Sequence, residues 1–367
     1  MRRFAAVAVS SCFLVLFACQ DAPVAPTADE AANPTFAKGG NPGKPGGGGP
    51  PTPADPAIAY ITGDFELWVM NADGSNRTHV LTPADVGANV IRNPAWSPAI
   101  GGPTQSPSYT IVFTNAPPGL MTVELNVSEQ GNISVGPPQL LTTGVENPTH
   151  PAYSPDGSTV ALIGIGRTPC VPGDPLAVEN SIYIVDAGGG VAKEVYCSPA
   201  FDSYGLGELS WSPDGTAIAF AGNFNPDGGG SVYGQEIRIC NLVAAADGTP
   251  TCHVVTAVSQ GEGEGFGSPD WSHDGSTLLF NQEDYGAAHR KTQTCSVPLV
   301  EGASGWQRVA GSAIDCLFRG IEPSWSPDDS EIVVTGVSVY DAVTLRKVRR
   351  LDDGIMPDWR GPAPTAP

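Results

Sequence analysis

Glu208-Leu-Ser-Trp-Ser-Pro-Asp-Gly-Thr-Ala-Ile-Ala-Phe220 reads as two short strands about a Pro-Asp-Gly turn, and the chain repeats it. The unit returns as Ser268-Pro-Asp-Trp-Ser-His-Asp-Gly-Ser-Thr-Leu-Leu-Phe280 and His150-Pro-Ala-Tyr-Ser-Pro-Asp-Gly-Ser-Thr-Val-Ala-Leu162. It returns again as Glu322-Pro-Ser-Trp-Ser-Pro-Asp-Asp-Ser-Glu-Ile-Val-Val334, with a shorter copy at Asn93-Pro-Ala-Trp-Ser-Pro98 and a truncated one at Met356-Pro-Asp-Trp359. Six aromatic residues therefore share one repeat position: Trp96, Tyr153, Trp211, Trp271, Trp325 and Trp359. A third strand and usually a fourth follow each hairpin, as in Ser181-Ile-Tyr-Ile-Val-Asp186 and the stretch from Ala192 to Tyr196.

Four strands per repeat make a propeller blade, so six copies predict an all-β, six-bladed β-propeller of four-stranded blades. The sixth copy supplies a single strand, while Ala57 to Thr82 offers three strands with no Trp hairpin before them. The N-terminal strands are thus expected to join the C-terminal strand in one blade, which leaves the ring without an open edge.

The repeat resembles that of the TolB-type propeller family, a WD40-like PD40 repeat with the pattern Pro-x-Trp-Ser-Pro-Asp-Gly. Asn71-Ala-Asp-Gly-Ser75, after Leu67-Trp-Val-Met70, is similar to the Asn-Ala-Asp-Gly end of the family's second half. The resemblance spans residues 57–361 and implies the fold. It does not extend to the N-terminal α/β domain through which TolB engages the Tol machinery, because a linker occupies that place here.

Composition agrees with a β-rich chain. Of 367 residues, 45 are Gly and 36 are Pro, which disfavours long helices. Lys and Arg total 18 against 38 Asp and Glu, a net charge of −20, so nucleic acid and anionic headgroups are repelled. Residues 1–19 carry Arg2, Arg3 and an apolar run to Ala18, the form of a secretory signal. Leu16-Phe17-Ala18-Cys19 resembles a bacterial lipobox, making Cys19 the lipidation site of a lipoprotein. The alternative is ordinary signal cleavage near Ala18. Residues 20–56 form a Gly/Pro-rich linker expected to lack fixed structure, and 362–367 a short tail. The expected location is the cell envelope, lipid-anchored and facing the periplasm or the exterior, with the membrane touched only through the anchor.

Six further cysteines fall two per repeat in three successive blades, which predicts the pairs Cys170–Cys197, Cys240–Cys252 and Cys295–Cys316. Cys240 and Cys252 flank a hairpin turn and are expected to lie opposite each other.

Three residues before each repeat aromatic stand Asn93, His150, Glu208, Ser268, Glu322 and Met356, which strand geometry would set around the mouth of an axial channel. With Asp270, Asp358, Glu262 and Glu264 nearby, that mouth is expected to be acidic and suited to a divalent cation or a basic ligand; no cofactor motif is present. Long insertions should gather on the face opposite the Pro-Asp-Gly turns, where Phe201, Tyr204, Tyr285 and His289 are candidate contact residues. The Asp residues of the turns themselves are expected to be structural. No nucleophile elbow occurs. The reading is a noncatalytic, monomeric binding scaffold whose partner is an envelope protein or a surface glycan. The alternative is a carbohydrate-active lyase or hydrolase at the channel mouth, with Glu208 and Glu322 as acid and base and His150 as base or metal ligand.

Overall fold

The computed structural model describes residues 55–98, 108–116, 119–128, 132–165, 180–198, 206–223, 235–244, 250–259, 265–284 and 291–361. They form six antiparallel sheets. The first three strands, β1 (Ile58–Ile61), β2 (Leu67–Met70) and β3 (Thr78–Leu81), wait for the last one in the chain. Blade 1 consists of β4 (Val90–Trp96), β5 (Ser108–Ala116), β6 (Gly119–Val127), β7 (Ile133–Val135) and β8 (Gln139–Leu140). Blade 2 holds β9 (Glu146–Tyr153), β10 (Thr159–Ile165), β11 (Asn180–Asp186) and β12 (Lys193–Cys197). Blade 3 holds β13 (Leu206–Trp211), β14 (Ala217–Asn223), β15 (Gln235–Ala244) and β16 (Pro250–Val258).

Blade 4 is β17 (Phe266–Trp271), β18 (Thr277–Asp284), β19 (Lys291–Gly302), β20 (Gly305–Arg308) and β21 (Asp315–Arg319). Blade 5 is β22 (Ser324–Trp325), β23 (Glu331–Val334), β24 (Ser338–Asp341) and β25 (Lys347–Arg350). The final strand, β26 (Ile355–Trp359), pairs antiparallel with β1, so blade 6 reads β26-β1-β2-β3 and both ends of the propeller share one sheet. Blades 1 and 4 depart from four plain strands. Their third strands are long, and two short segments divide the outer edge of each: β7 and β8 along β6, β20 and β21 along β19.

Each blade is covered on both faces, so its strands read as apolar runs rather than as alternation. In β18, Leu278 and Phe280 pack toward blade 3 while Leu279 packs toward blade 5. In β10, Ala161 and Ile163 face blade 3, and Val160 and Leu162 face blade 1. The residues of β1 divide the same way, Ala59 and Ile61 toward blade 1, Ile58 and Tyr60 toward blade 5. Each of the six apolar cores thus lies between two neighbouring blades, and together they close the ring.

The Ser-Pro-Asp-Gly turns explain their own composition. Ser154 donates its hydroxyl to Asp156 Oδ1 at 2.6 Å and accepts the Thr159 N–H at 3.1 Å, while Asp156 Oδ1 also accepts the Ser158 N–H at 3.0 Å. Ser212 with Asp214, Ser272 with Asp274 and Ser326 with Asp328 repeat the arrangement. Hydrogen bonds from Ser154 and Ser158 hold the Asp156 carboxyl below the usual range, and the same cause acts at Asp274 and Asp328. At Asp214 burial opposes the shift, but the hydrogen bonds win. Gly157, Gly215 and Gly275 follow at φ of 70°, 72° and 79°, a left-handed conformation that favours glycine.

Cys240 pairs with Cys252 and Cys295 with Cys316. Cys295 and Cys316 are directly opposed across β19 and β21, but Cys240 faces Val254 and Cys252 faces Leu242. The expected opposition of Cys240 and Cys252 is corrected to a diagonal pairing, because diagonal neighbours on one sheet face also come within reach. Cys197 is disulfide-bonded; Cys170 lies outside the described residues. Replacing both Cys240 and Cys252 by Ala is expected to lower the unfolding free energy by about 3 kcal/mol, the loop-closure term for so short a loop. Urea denaturation of the double variant beside wild type measures it, and an unchanged midpoint would remove the bond from the stabilising set.

Candidate functional site

The innermost strands β4, β9, β13, β17, β22 and β26 surround an axial channel with a cavity volume of about 820 Å³. Their repeated Pro-x-aromatic sequence places polar groups along it at three levels.

The outermost level is the predicted ring. Asn93, His150, Ser268, Glu322 and Met356 sit at φ of 48°, 48°, 47°, 54° and 51°, a left-handed backbone that side chains other than Gly and Asn seldom adopt. The pairing register slips beside these positions in blades 1, 2, 4 and 6, as it does beside Glu208, so the innermost strands are bulged there. A bulge re-aims a side chain, and all six ring residues line the cavity. Glu208 Oε2 accepts the Ser268 N–H at 3.2 Å, and its Oε1 lies 3.9 Å from His150 Nε2. Glu322 Oε2 accepts the Met356 N–H at 2.9 Å and the Thr335 hydroxyl. Met356 Sδ in turn receives the Asn93 N–H at 3.4 Å. Burial pushes the Glu322 carboxyl up. The His150 imidazole is pulled down by burial, with Glu208 opposing and Arg92 reinforcing, and its Nδ1 is buried with no hydrogen-bond partner. Neutral at pH 7, that ring offers an acceptor as readily as a donor.

The second level lies two residues further along each strand, at Ala95, Ala152, Ser210, Asp270, Ser324 and Asp358. Asp358 Oδ2 accepts the Trp96 N–H at 2.9 Å, and Asp270 Oδ2 accepts the Trp325 N–H at 2.7 Å. The hydroxyls of Ser210 and Ser324 do the same for Trp271 and Trp359, each at 3.0 Å. Four of these residues therefore clasp the next blade by its aromatic residue's backbone. Asp270 and Asp358, expected at the channel mouth, line the same cavity as the ring residues, and each also receives a backbone N–H of the neighbouring blade. Protein surrounds them except on the channel side, and burial lifts Asp270 to about 6 and Asp358 to about 7.

The third level, at the Pro-Asp-Gly turns, was not singled out from sequence. His273 takes the place of proline in the blade 4 turn, and its Nδ1 lies 2.8 Å from Asp329 Oδ1 in the blade 5 turn. The break in the repeat, Ser-His-Asp-Gly for Ser-Pro-Asp-Gly, was the available signal. Among the described residues no group of three or more His, Cys, Asp or Glu is arranged to hold a metal ion. Phe201, Tyr204, Tyr285, His289, Glu262, Glu264 and Cys19 lie outside the described residues.

A ring of six blades closed by its two chain ends, with polar side chains turned into an axial channel, defines the class: a six-bladed β-propeller. Within that class the fold is TolB-like. TolB from Acinetobacter baumannii matches it with a TM-score of 0.53 at 17% identity, over 83% of this chain and 67% of that one. A chain of the nidogen/laminin complex matches with a TM-score of 0.50 at 10% identity, over 84% of this chain and 100% of that one. Both likenesses are of fold. No family model and no curated protein matches the sequence.

Proposed function

We propose that the chain is a noncatalytic binding scaffold of the cell envelope, a tethered propeller whose channel mouth receives a basic side chain of a protein partner. One observation carries the reading: five ring residues are held in a left-handed backbone, four of them at bulges, and all line the cavity, where Glu208 and Glu322 present carboxyl groups. Strain of this kind persists only where the surroundings enforce it, and it gathers at working sites. The disulfides suit an oxidising compartment, and the secretory form of residues 1–19 supports the same location. Lipidation at Cys19 would provide the tether. The nidogen/laminin structure is of a protein complex, which supports a protein rather than a glycan as partner.

The test is affinity capture from solubilised envelopes with wild type beside E208Q/E322Q. A stoichiometric protein recovered at least tenfold better by wild type supports the proposal; equal recovery overturns it. The pairing of Glu208 with His150 across 3.9 Å gives the carbohydrate-active reading its one foothold. Turnover of a polysaccharide panel by wild type, lost in E322Q, would move that reading ahead.

A further inference from the structure

Two departures from the turn repeat, in consecutive copies, meet in space. His273 replaces the proline of Ser-Pro-Asp-Gly in blade 4, and Asp329 replaces the glycine in blade 5. Asp329 keeps the left-handed backbone of the glycines it stands for, with φ at 56°. Its carboxylate Oδ1 accepts the His273 N–H at 3.0 Å and contacts His273 Nδ1 at 2.8 Å, and its Oδ2 accepts the Asp274 N–H at 3.0 Å. A proline at 273 would have no N–H to donate, and a glycine at 329 no carboxylate to receive one. Each substitution is explained by the other.

The dyad fixes the imidazole. With Nδ1 turned to Asp329, the remaining nitrogen is Nε2, and Gly361 stands beside it: a Cβ there would lie 3.3 Å away. His273 lines the channel at the level where Pro98, Pro155 and Pro213 occupy the other turns, so a titratable ring sits among prolines. The charged groups around it are Asp270 on its own blade, Asp274 in its own turn, Asp329 on blade 5 and Asp358 on the closing strand. Burial alone would lower the imidazole, but the Asp329 hydrogen bond and the charges of Asp270, Asp329 and Asp358 outweigh it and raise it. Asp274, held down by its hydrogen bonds to Ser276 and Ser272, stays ionised throughout.

We propose that the turn end of the channel is a proton-controlled site, in which His273, oriented by Asp329, shares one cavity with the carboxyls of Asp270 and Asp358 and proton loss makes the wall anionic. Near pH 5.5 Asp270 and Asp358 largely hold their protons. Near pH 8 both are ionised, and the cavity they line with His273 is anionic. Because Asp270 and Asp358 also receive the N–H groups of Trp325 and Trp96, the change reaches the joints between blades 4 and 5 and between blades 6 and 1.

The fold supplies its own control. Trp306 does not line the channel, and its N–H is received by the side-chain amide of Asn241, which does not titrate. In protein labelled with 15N-tryptophan, only seven backbone amides are visible. Between pH 5.5 and 8.5 the Trp96 and Trp325 amides should shift together with the imidazole resonance that disappears in H273Q, while the Trp306 amide stays in place. H273Q, which keeps the N–H but not the charge, should move the Trp96 and Trp325 transition upward by at least half a pH unit; H273P, which restores the repeat, should do the same if H273Q fails to fold. Trp306 moving with Trp96 and Trp325, Trp96 and Trp325 remaining fixed, or an unchanged midpoint in the His273 variant would overturn the proposal.

Discussion

The thermal midpoint at pH 5.5 is expected to exceed that at pH 8 by about 5 °C. The sign follows from which state holds more protons. Asp270 and Asp358 ionise near 3.8 in the unfolded chain but at about 6 and about 7 in the folded one. Between those values the folded state binds the extra protons, so stability falls as pH rises. Glu322, also raised, acts in the same direction. His273, raised above its unfolded value, contributes stability that is present at low pH and lost as pH climbs through its folded value. His150, lowered by burial, opposes all four. Discounted for the water that reaches the channel, the net is on the order of 2–3 kcal/mol, worth roughly 2 °C per kcal/mol in a domain of this size. Below about pH 4 the slope reverses, because the turn residues Asp156, Asp214, Asp274 and Asp328 hold depressed pKa values and lose their stabilisation as they protonate. Calorimetry across pH 4–8.5 checks the curve. D270N/D358N keeps an acceptor for both Trp N–H groups and should flatten it; a midpoint that is level or rising from pH 5.5 to pH 8 in wild type would contradict the assignment.

Ending the chain at Gly354 is expected to abolish cooperative folding, whereas ending it at Gly361 should leave the midpoint within a degree. The first truncation removes β26, and with it Trp359 from the core between blades 5 and 6. That burial alone is worth about 3–5 kcal/mol. It also removes the Asp358 clasp on Trp96 and the partner of the Ser324 hydroxyl, and it exposes the edge of β1. The sum matches the whole stability of an ordinary domain. A milder variant, R360A, isolates the junction. The Arg360 guanidinium lies 4.2 Å from the centre of the Tyr109 ring, donates to the Pro56 carbonyl, and pairs at 2.7 Å with Asp55 on the other end of the described chain. Asp55 is largely exposed, so the expected loss is about 2 kcal/mol, measured by urea denaturation. Full cooperative unfolding by the chain ending at Gly354 would mean that the five intact blades are stable without closure.

The sixfold repeat made the architecture legible because each copy carries its turn chemistry and its strand pattern locally. Closure was legible too, since the strands missing from Met356-Pro-Asp-Trp359 are those present between Ala57 and Thr82. The positions three before each aromatic were readable as ring residues for the same reason. What the sequence did not disclose depends on the neighbouring blade. Nothing in Ser-Pro-Asp-Trp271 says that Asp270 will receive the N–H of Trp325, so its carboxyl looked available to the channel mouth. His273 and Asp329 each look like an isolated lapse from the repeat, and their bond joins positions 56 apart in the chain. The left-handed backbone at His150, Glu322 and Met356 is likewise invisible, because strand periodicity carries no mark of a bulge. The diagonal offset of Cys240 and Cys252 depends on a register that the hairpin alone does not fix.

The pairing of β26 with β1 also sets an order of events in time. Blade 6 lacks its innermost strand until the residues following blade 5 have been made and delivered, so the N-terminal strands must wait with an unpaired edge while every other blade assembles. Synthesis from the N-terminus meets that requirement naturally, since β26 is the last strand to emerge. Until it arrives, β1 remains an open template for any extended segment nearby, and chaperone protection matters most during that interval.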